Sequence, residues 1–165
     1  MSAKQGLSSD ATLSVLAATD GSIWVAAQNG LTRWKNGQAT VFDTASGLPH
    51  DRAQSLYQDD RGRIWVFTDG GLAYLTNDDR FAGVPGVPSK EVFSMAGDGA
   101  GGLWLSTNKS LLHMRDGRLV GKFDWPVMGR HQQAKAVVPD QGGVWLAFWS
   151  GGGVLHFDDG IVRAS

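Results

Sequence analysis

Charged and polar side chains are concentrated in short segments that precede four tryptophans by 13 to 15 residues. Carboxylate, guanidinium and imidazole groups make strong hydrogen bonds, and an indole ring stacks on a sugar ring, so such a set is typical of a ligand-binding surface. We predict that this surface is formed by Asp10, His50, Asp51, Arg52, Lys90, Glu91, Arg130, His131, Gln132 and Trp149. Two alternatives stay open: loop residues are polar and variable in any protein, and Trp149 can instead have a structural role.

Other chemistries are excluded by what the sequence lacks. The chain has no cysteine, which excludes a thiolate nucleophile and a cysteine-ligated zinc site. It has no His-x-x-x-His pair, carboxylate cluster, phosphate-binding loop or dinucleotide fingerprint, so we predict neither a metal site nor a cofactor. The formal net charge of −1 argues against a nucleic-acid partner. We find no apolar stretch of about 18 residues that would span a membrane, and the first residues do not resemble a signal peptide.

The four tryptophans themselves belong to a repeat. Trp24, Trp65, Trp104 and Trp145 lie 41, 39 and 41 residues apart, and a glycine stands three residues before each one. A period of about 40 residues indicates an architecture in which each unit is one supersecondary element that packs on the next. A large ring at one fixed position suits the gap between neighbouring units. We therefore predict that all four tryptophans are core residues.

Each unit carries the signals of four short antiparallel strands. In the second unit, residues 53–58 alternate in polarity, a turn follows, and residues 64–67 are β-branched or aromatic. Asn-Gly and Asp-Gly pairs at 36–37, 116–117 and 159–160 predict tight hairpins. Four-stranded units of this length are the blades of a β-propeller. We predict an all-β β-propeller module over residues 1–165, with blades at approximately 6–46, 47–85, 86–126 and 127–165.

The second unit also carries a family resemblance. Its sequence GLPHDRAQSLYQDDRGRIWVFTDGGLAYL, from Gly47 to Leu75, closely resembles the two-component regulator propeller repeat, and Val144 to Phe157 resembles the longer variant of that repeat. The chain differs from the family pattern just after each tryptophan. The family's glycine at the second position is replaced in all four units, and its threonine at the third position is kept in two. The resemblance implies a sensor domain of hybrid histidine kinases that lies in the periplasm or outside the cell and binds ligands such as glycan fragments.

Four blades amount to about half of the usual ring of seven or eight. An open half ring would expose two apolar faces, which a soluble monomer avoids. Three solutions stay open: a ring of four blades, a homodimer with eight blades, and blades supplied by another part of a longer protein. The chain begins and ends in phase with the repeat, and closed twofold symmetry is common, so we expect the homodimer.

The function predicted from these observations is binding. We expect a non-catalytic module that binds a glycan or peptide ligand or a protein partner, with a second copy or missing blades completing the ring. One alternative is a propeller lyase or glycosidase, in which His50 or His131 near Glu91 would form an acid–base pair. The other is a purely structural assembly scaffold.

Overall fold

The computed structural model describes residues 2–90, 92–141, 143–149, 151–158 and 160–164. These residues form sixteen strands in four antiparallel sheets, and each sheet contains four strands that are consecutive in sequence. The chain divides into two compact units, residues 1–90 and 91–165, with two sheets each. The helical turns formed by the described residues are short 3-10 turns such as Thr44–Ser46, and none is long and apolar enough to cross a membrane.

The first unit contains sheets 1 and 2. Sheet 1 consists of β1 (Thr12–Ala17), β2 (Ile23–Ala27), β3 (Gly30–Lys35) and β4 (Gln38–Phe42). Sheet 2 consists of β5 (Ala53–Gln58), β6 (Ile64–Thr68), β7 (Gly71–Leu75) and β8 (Phe81–Gly83).

The second unit contains sheets 3 and 4. Sheet 3 consists of β9 (Val92–Gly97), β10 (Gly102–Thr107), β11 (Ser110–Arg115) and β12 (Arg118–Asp124). Sheet 4 consists of β13 (Ala134–Asp140), β14 (Gly143–Phe148), β15 (Val154–Asp158) and β16 (Ile161–Ala164).

Tight hairpins join the third and fourth strands where the sequence predicts them. Asn36 and Asp116 have φ of 52° and 51°, and the glycine after each also has positive φ, which is the conformation that an Asn-Gly or Asp-Gly hairpin requires. β15 and β16 pair in the same way, with Asp158 opposite Ile161. The remaining predicted hairpin residue, Asp159, lies outside the described residues.

A β-bulge recurs near the start of the first strand of every sheet. One extra residue interrupts the register of the first strand against the second each time. A bulge redirects the side chain of the extra residue away from the regular alternation of the strand. The four bulge residues are Leu13, Gln54, Phe93 and Lys135.

The turn between the first and second strands ties an aspartate to the repeated tryptophan. Nε1 of Trp65 donates a 2.8 Å hydrogen bond to Asp59, whose other carboxylate oxygen accepts the backbone N–H groups of Arg61 and Arg63. In sheet 4, Nε1 of Trp145 donates to Asp140 at 2.7 Å. The aspartate therefore closes the turn and also satisfies the indole N–H, which explains why the two residue types recur together.

The Gly-Leu-Pro motif of the second unit is explained by a close backbone approach. Gly47 has φ of 95°, and a Cβ there would lie 2.2 Å from the carbonyl oxygen of Phe81. Gly70 lies as close to Pro49, because a Cβ on it would stand 2.4 Å from the proline carbonyl oxygen. Leu48, which stands between Gly47 and Pro49 in sequence, is buried in the core of the first unit. Only glycine fits at residue 47, since both its space and its φ exclude a side chain.

The core of the first unit lies between sheets 1 and 2. Trp24 packs against Phe42 of its own sheet at a centroid distance of 5.4 Å and against Phe81 of sheet 2 at 6.3 Å. Ile64 and Val66 of β6 belong to the same cluster. The tryptophan therefore fills the space between one sheet and the next, as the sequence predicts for this position.

The second unit has a corresponding core between sheets 3 and 4. Phe157 of β15 packs on Phe123 of β12 at 4.6 Å and on the half-buried Trp104 at 6.4 Å. Trp125, which is outside the register of the repeat, is also buried here and donates its indole N–H to the carbonyl oxygen of Thr107 at 2.9 Å. Trp125 is therefore a core residue.

The prediction that all four repeated tryptophans are buried is wrong for Trp145. Its exposed fraction is 38%, against 1% for Trp24. Trp24 and Trp104 are covered by a phenylalanine of the following sheet within their own unit. Among the described residues no sheet follows sheet 4, so no ring of a following sheet covers Trp145.

Candidate functional site

Apart from Trp149, the predicted binding residues that the structure describes lie in lead-in loops, which we define as the segments that precede the first strand of each sheet. In sheets 1 and 2, a backbone hydrogen bond joins the lead-in loop to the loop between the second and third strands. The N–H of Asp69 donates to Arg52 O and the N–H of Gln28 donates to Ala11 O, both at 3.1 Å. The two kinds of loop therefore open at the same end of the strands, which we call the loop face.

Asp10 and Asp51 have the same structural role in their sheets. Asp10 accepts a hydrogen bond from the backbone N–H of Ala3, and Asp51 accepts one from Thr44, at 2.6 and 2.8 Å. Each donor lies seven residues earlier, at the start of a 3-10 turn. The repetition shows that these carboxylates hold the lead-in loop in place.

In the first unit, Arg52 and Asp69 form an ion pair on the loop face. Nη1 of Arg52 lies 3.3 Å from Asp69, which also accepts a hydrogen bond from the bulge residue Gln54. The hydrogen bond from Gln54, together with the nearby guanidinium of Arg52, lowers the pKa of Asp69. Nδ1 of His50 accepts the backbone N–H of Arg52 at 3.0 Å, so this histidine orients the loop.

Two predicted residues lie where the units meet along the chain. Lys90 is exposed at the end of the first unit. Glu91 lies outside the described residues, so the predicted acid–base pairing of a histidine with Glu91 stays a prediction.

In the second unit, three of the predicted residues line a cavity of about 260 Å³. Arg130 forms one wall, with its guanidinium carbon 5.2 Å from the ring centroid of Phe148 and its Nε buried without a hydrogen-bond partner among the described residues. Gly152 approaches Phe148 so closely that a Cβ would lie 2.4 Å from the phenylalanine Cβ. The cavity is lined by Gly129, Arg130, His131, Gln132, Phe148, Gly151 and Gly152.

A second cavity, of about 380 Å³, shares His131 with the first. Its wall includes the loop between the second and third strands of sheet 3, through Asn108 and Lys109. Lys122 and Asp124 of β12 also line this cavity, and their charged groups lie 3.5 Å apart. The imidazole of His131 therefore stands between two hollows of the loop face.

Trp149 is exposed at the same face. Its exposed fraction is 51%, and the ammonium group of the bulge residue Lys135 lies 4.8 Å from the ring centroid. The N–H of Gly152 donates to the carbonyl oxygen of Trp149, so the tryptophan belongs to the loop that lines the first cavity. An exposed indole with a cation over it can bind a polar ring by stacking and by hydrogen bonding.

The bulge residues and Phe148 are the contributors that the sequence analysis missed. Gln54 contacts Asp69 and Lys135 contacts Trp149, so in sheets 2 and 4 the bulge directs a side chain toward the loop face. The sequence offers one signal: this position varies among leucine, glutamine, phenylalanine and lysine, whereas the residue after it is serine in three of the four sheets. Among the described residues, no three potential metal ligands come together.

Comparison with known proteins identifies the repeat and the fold. Residues 47–70 match the family model of the two component regulator propeller. Among solved structures, the chain is similar to the extracellular domain of the hybrid two component system BT3049 from B. thetaiotaomicron, with 19% identity and a TM-score of 0.74, over 100% of this chain and 26% of that one. No curated protein sequence matches the chain.

Two further structures extend the comparison. The extracellular domain of BT4673 from B. thetaiotaomicron has 19% identity and a TM-score of 0.69, over 93% of this chain and 24% of that one. Virginiamycin B lyase from Staphylococcus aureus has 12% identity and a TM-score of 0.74, over 93% of this chain and 54% of that one. The chain spans about a quarter of the length of the two extracellular domains. It therefore has the all-β propeller fold, and its residues 47–70 match the two component regulator propeller.

Proposed function

We propose that this chain is a non-catalytic binding module of an extracellular sensor, and that the loop face of its second unit binds an acidic glycan fragment. The observation that carries the proposal is the charge around the two cavities that share His131. Lys109, Arg130 and Lys122 line these cavities and Lys135 lies beside them. The carboxylate among the lining residues, Asp124, is paired with Lys122.

The charge favours an anion. Four cationic side chains and one carboxylate leave a positive surface, which attracts an acidic ligand and disfavours a cationic one. Arg130 supports this assignment further, because it lines the first cavity and a guanidinium forms strong hydrogen bonds with a carboxylate.

The aromatic side chains favour a sugar over a bare anion. Trp149 exposes a flat ring, and Phe148 forms an apolar wall beneath the guanidinium of Arg130. A sugar ring presents C–H groups on one face and hydroxyl or carboxylate groups at its edge, so it matches an aromatic platform with cations at its rim.

The experiment is titration of the chain with trigalacturonate, followed by calorimetry and by thermal unfolding. We expect saturable binding and a rise in Tm that depends on ligand concentration, and no rise with the neutral maltotriose. Trp149→Ala is expected to weaken binding roughly tenfold, and Lys135→Ala roughly threefold. Gln54→Ala is the matched control, because it removes the equivalent bulge residue from the first unit.

Three results would contradict the proposal. The proposal would be wrong if no acidic glycan bound saturably, or if trigalacturonate and maltotriose bound equally well. Turnover of the glycan that is lost in His131→Ala would assign the site to catalysis.

A second observation concerns a protein partner. Val15 of sheet 1 is 70% exposed, whereas Val137, which holds the equivalent place in sheet 4, is 5% exposed and packs against sheet 3. Trp145 is exposed where the equivalent Trp24 is covered. We call the exposed surface around Val15 in sheet 1 and the one around Trp145 in sheet 4 the two open faces. We propose that a second copy of this chain covers both, because each is equivalent to a surface that is buried between sheets elsewhere in the same chain.

A further inference from the structure

A cavity of about 350 Å³ lies in the second unit at the strand ends opposite the loop face. It opens between the turns that join the first strand to the second and the third to the fourth. Its walls come from both sheets of the unit, so it is separate from the hollows around His131. It is lined by Asp98, Trp104, His113, Arg115, Phe123, Asp140, Gln141, Gly143, Phe157, Asp158 and Gly160.

The first unit shows what occupies the equivalent place between sheets 1 and 2. Arg33 stands opposite Trp24 in the pairing of β2 and β3. Its guanidinium carbon lies 5.5 Å from the Trp24 ring centroid and 5.3 Å from that of Phe42. Both terminal nitrogens then bind Asp79 of sheet 2, at 2.6 and 2.8 Å. A guanidinium group therefore fills this gap, held by aromatic faces and one carboxylate.

The second unit has the same frame without that guanidinium. His113 stands opposite Trp104 in the strand pairing, at the position of Arg33, and Phe123 corresponds to Phe42. The imidazole stacks on Trp104 at a centroid distance of 3.9 Å, and its Nε2 lies 2.8 Å from Asp98 of the same sheet. The shorter side chain thus turns back on its own sheet and leaves the gap open.

The charge at the rim of this cavity matches a cation. Asp98, Asp140 and Asp158 line it together with a single arginine, Arg115, which binds Asp98 at 3.1 Å. Asp158 is the carboxylate that the hairpin of sheet 4 brings to the mouth of the cavity, and Nε of Arg163 binds it at 2.8 Å. Three carboxylates stand beside two arginines at this rim, so it keeps a negative charge, whereas the loop face is basic, and the two sites select ligands of opposite charge.

We propose that this cavity binds a guanidinium group presented by another molecule, in the place that Arg33 fills in the first unit. The ligand is a compound or a peptide side chain with the planar cation of arginine. The group would lie against the aromatic wall formed by Phe123 and Phe157 and donate hydrogen bonds to the carboxylate rim. The inference is independent of the proposed glycan site, which lies at the other ends of the strands and has the opposite charge.

The test uses Nα-acetyl-arginine amide as the probe and Nα-acetyl-citrulline amide as its neutral isostere. Binding is measured by calorimetry, with the NMR resonances of the His113 ring and the Trp104 indole as reporters of the site. Agmatine, titrated in parallel, distinguishes the two sources of the group: tighter binding of the arginine amide indicates a peptide, and tighter binding of agmatine indicates a small molecule. Either preference supports the site.

Two variants and a matched control locate the binding. His113→Arg rebuilds the arrangement of the first unit, fills the cavity and is expected to abolish binding of the arginine amide. Asp158→Asn keeps the shape of the rim, removes one charge and is expected to weaken binding roughly threefold. Asp79→Asn removes the carboxylate that binds Arg33 in the first unit and is expected to leave the affinity unchanged.

The proposal is overturned if the arginine amide does not bind at millimolar concentration. Equal binding of the citrulline amide would overturn the assignment of the cation. Binding that survives both His113→Arg and Asp158→Asn in folded variants would place the ligand elsewhere and overturn the site.

Discussion

Nε2 of His113 lies 2.8 Å from a carboxylate oxygen of Asp98, and this contact ties the third strand of sheet 3 to the turn between its first two strands. Asp98 also accepts the backbone N–H groups of Ala100 and Gly102 and a hydrogen bond from Arg115. Burial of Asp98 by itself would raise its pKa, but these four hydrogen bonds outweigh burial and lower the pKa to about 2.

Asp98→Asn is expected to lower the free energy of unfolding by about 2 kcal/mol at neutral pH. The folded pKa lies below the unfolded value of about 4. The contribution of the carboxylate is therefore complete above pH 4 and is lost as the pH falls toward 2. Urea unfolding of both proteins from pH 7 to pH 2 checks this, and the difference between them should shrink across that window. A difference that stays constant down to pH 2 would contradict the assignment.

The ion pair between Arg33 and Asp79 is expected to couple sheet 1 to sheet 2. Its two short contacts are bidentate, but Asp79 is largely exposed, so solvent screens the pair. A double-mutant cycle with Arg33→Ala and Asp79→Ala should give a coupling free energy of roughly 0.5 to 1 kcal/mol that decreases in 1 M salt. Additive effects of the two substitutions would show that the contact does not contribute to stability.

Substitution of two equivalent tryptophans should lower the free energy of unfolding by different amounts, because one ring is enclosed and the other is partly exposed. Trp24→Ala removes a ring enclosed by Phe42 and Phe81 and is expected to cost about 3 to 5 kcal/mol. Trp145→Ala removes a ring that is partly in solvent, and in the dilute chain it is expected to cost less than about 2 kcal/mol. Chemical unfolding followed by circular dichroism measures both, and equal costs would contradict the difference in burial.

The repeat made most of the fold predictable from sequence. Trp24, Trp65, Trp104 and Trp145 mark the second strand of each sheet, and the Asn-Gly and Asp-Gly pairs mark hairpins, because both signals depend on local chemistry. The burial of Trp145 was mispredicted because burial depends on whether another sheet packs against the ring. The local sequence around the tryptophan does not contain that information.

The candidate site was less predictable. Arg130, His131 and Gln132 do line one cavity, as their shared position in a lead-in loop suggested. Asp10 and Asp51 accept hydrogen bonds from the backbone seven residues earlier, a contact that charge alone does not reveal, and their part in ligand binding stays a prediction. The role of Lys135 depends on a bulge, and the variation at this one position in sequence does not reveal that the strand carries an extra residue there.

Pairing between copies is expected to depend on the two open faces. In light scattering across a range of concentrations, we expect a species of twice the 17.6 kDa chain mass. Val15→Glu places a charge on the open face of sheet 1, and Trp145→Glu places one on sheet 4. Each should therefore shift the protein to the monomer, because a buried unpaired charge strongly opposes association. Val127→Glu is the control, since Val127 is exposed in the lead-in loop of sheet 4 and should leave the mass unchanged. If the unsubstituted chain is a monomer at all concentrations, no second copy covers Val15 and Trp145. The two exposed faces that carry these residues would then be assigned to contacts with blades of a longer protein.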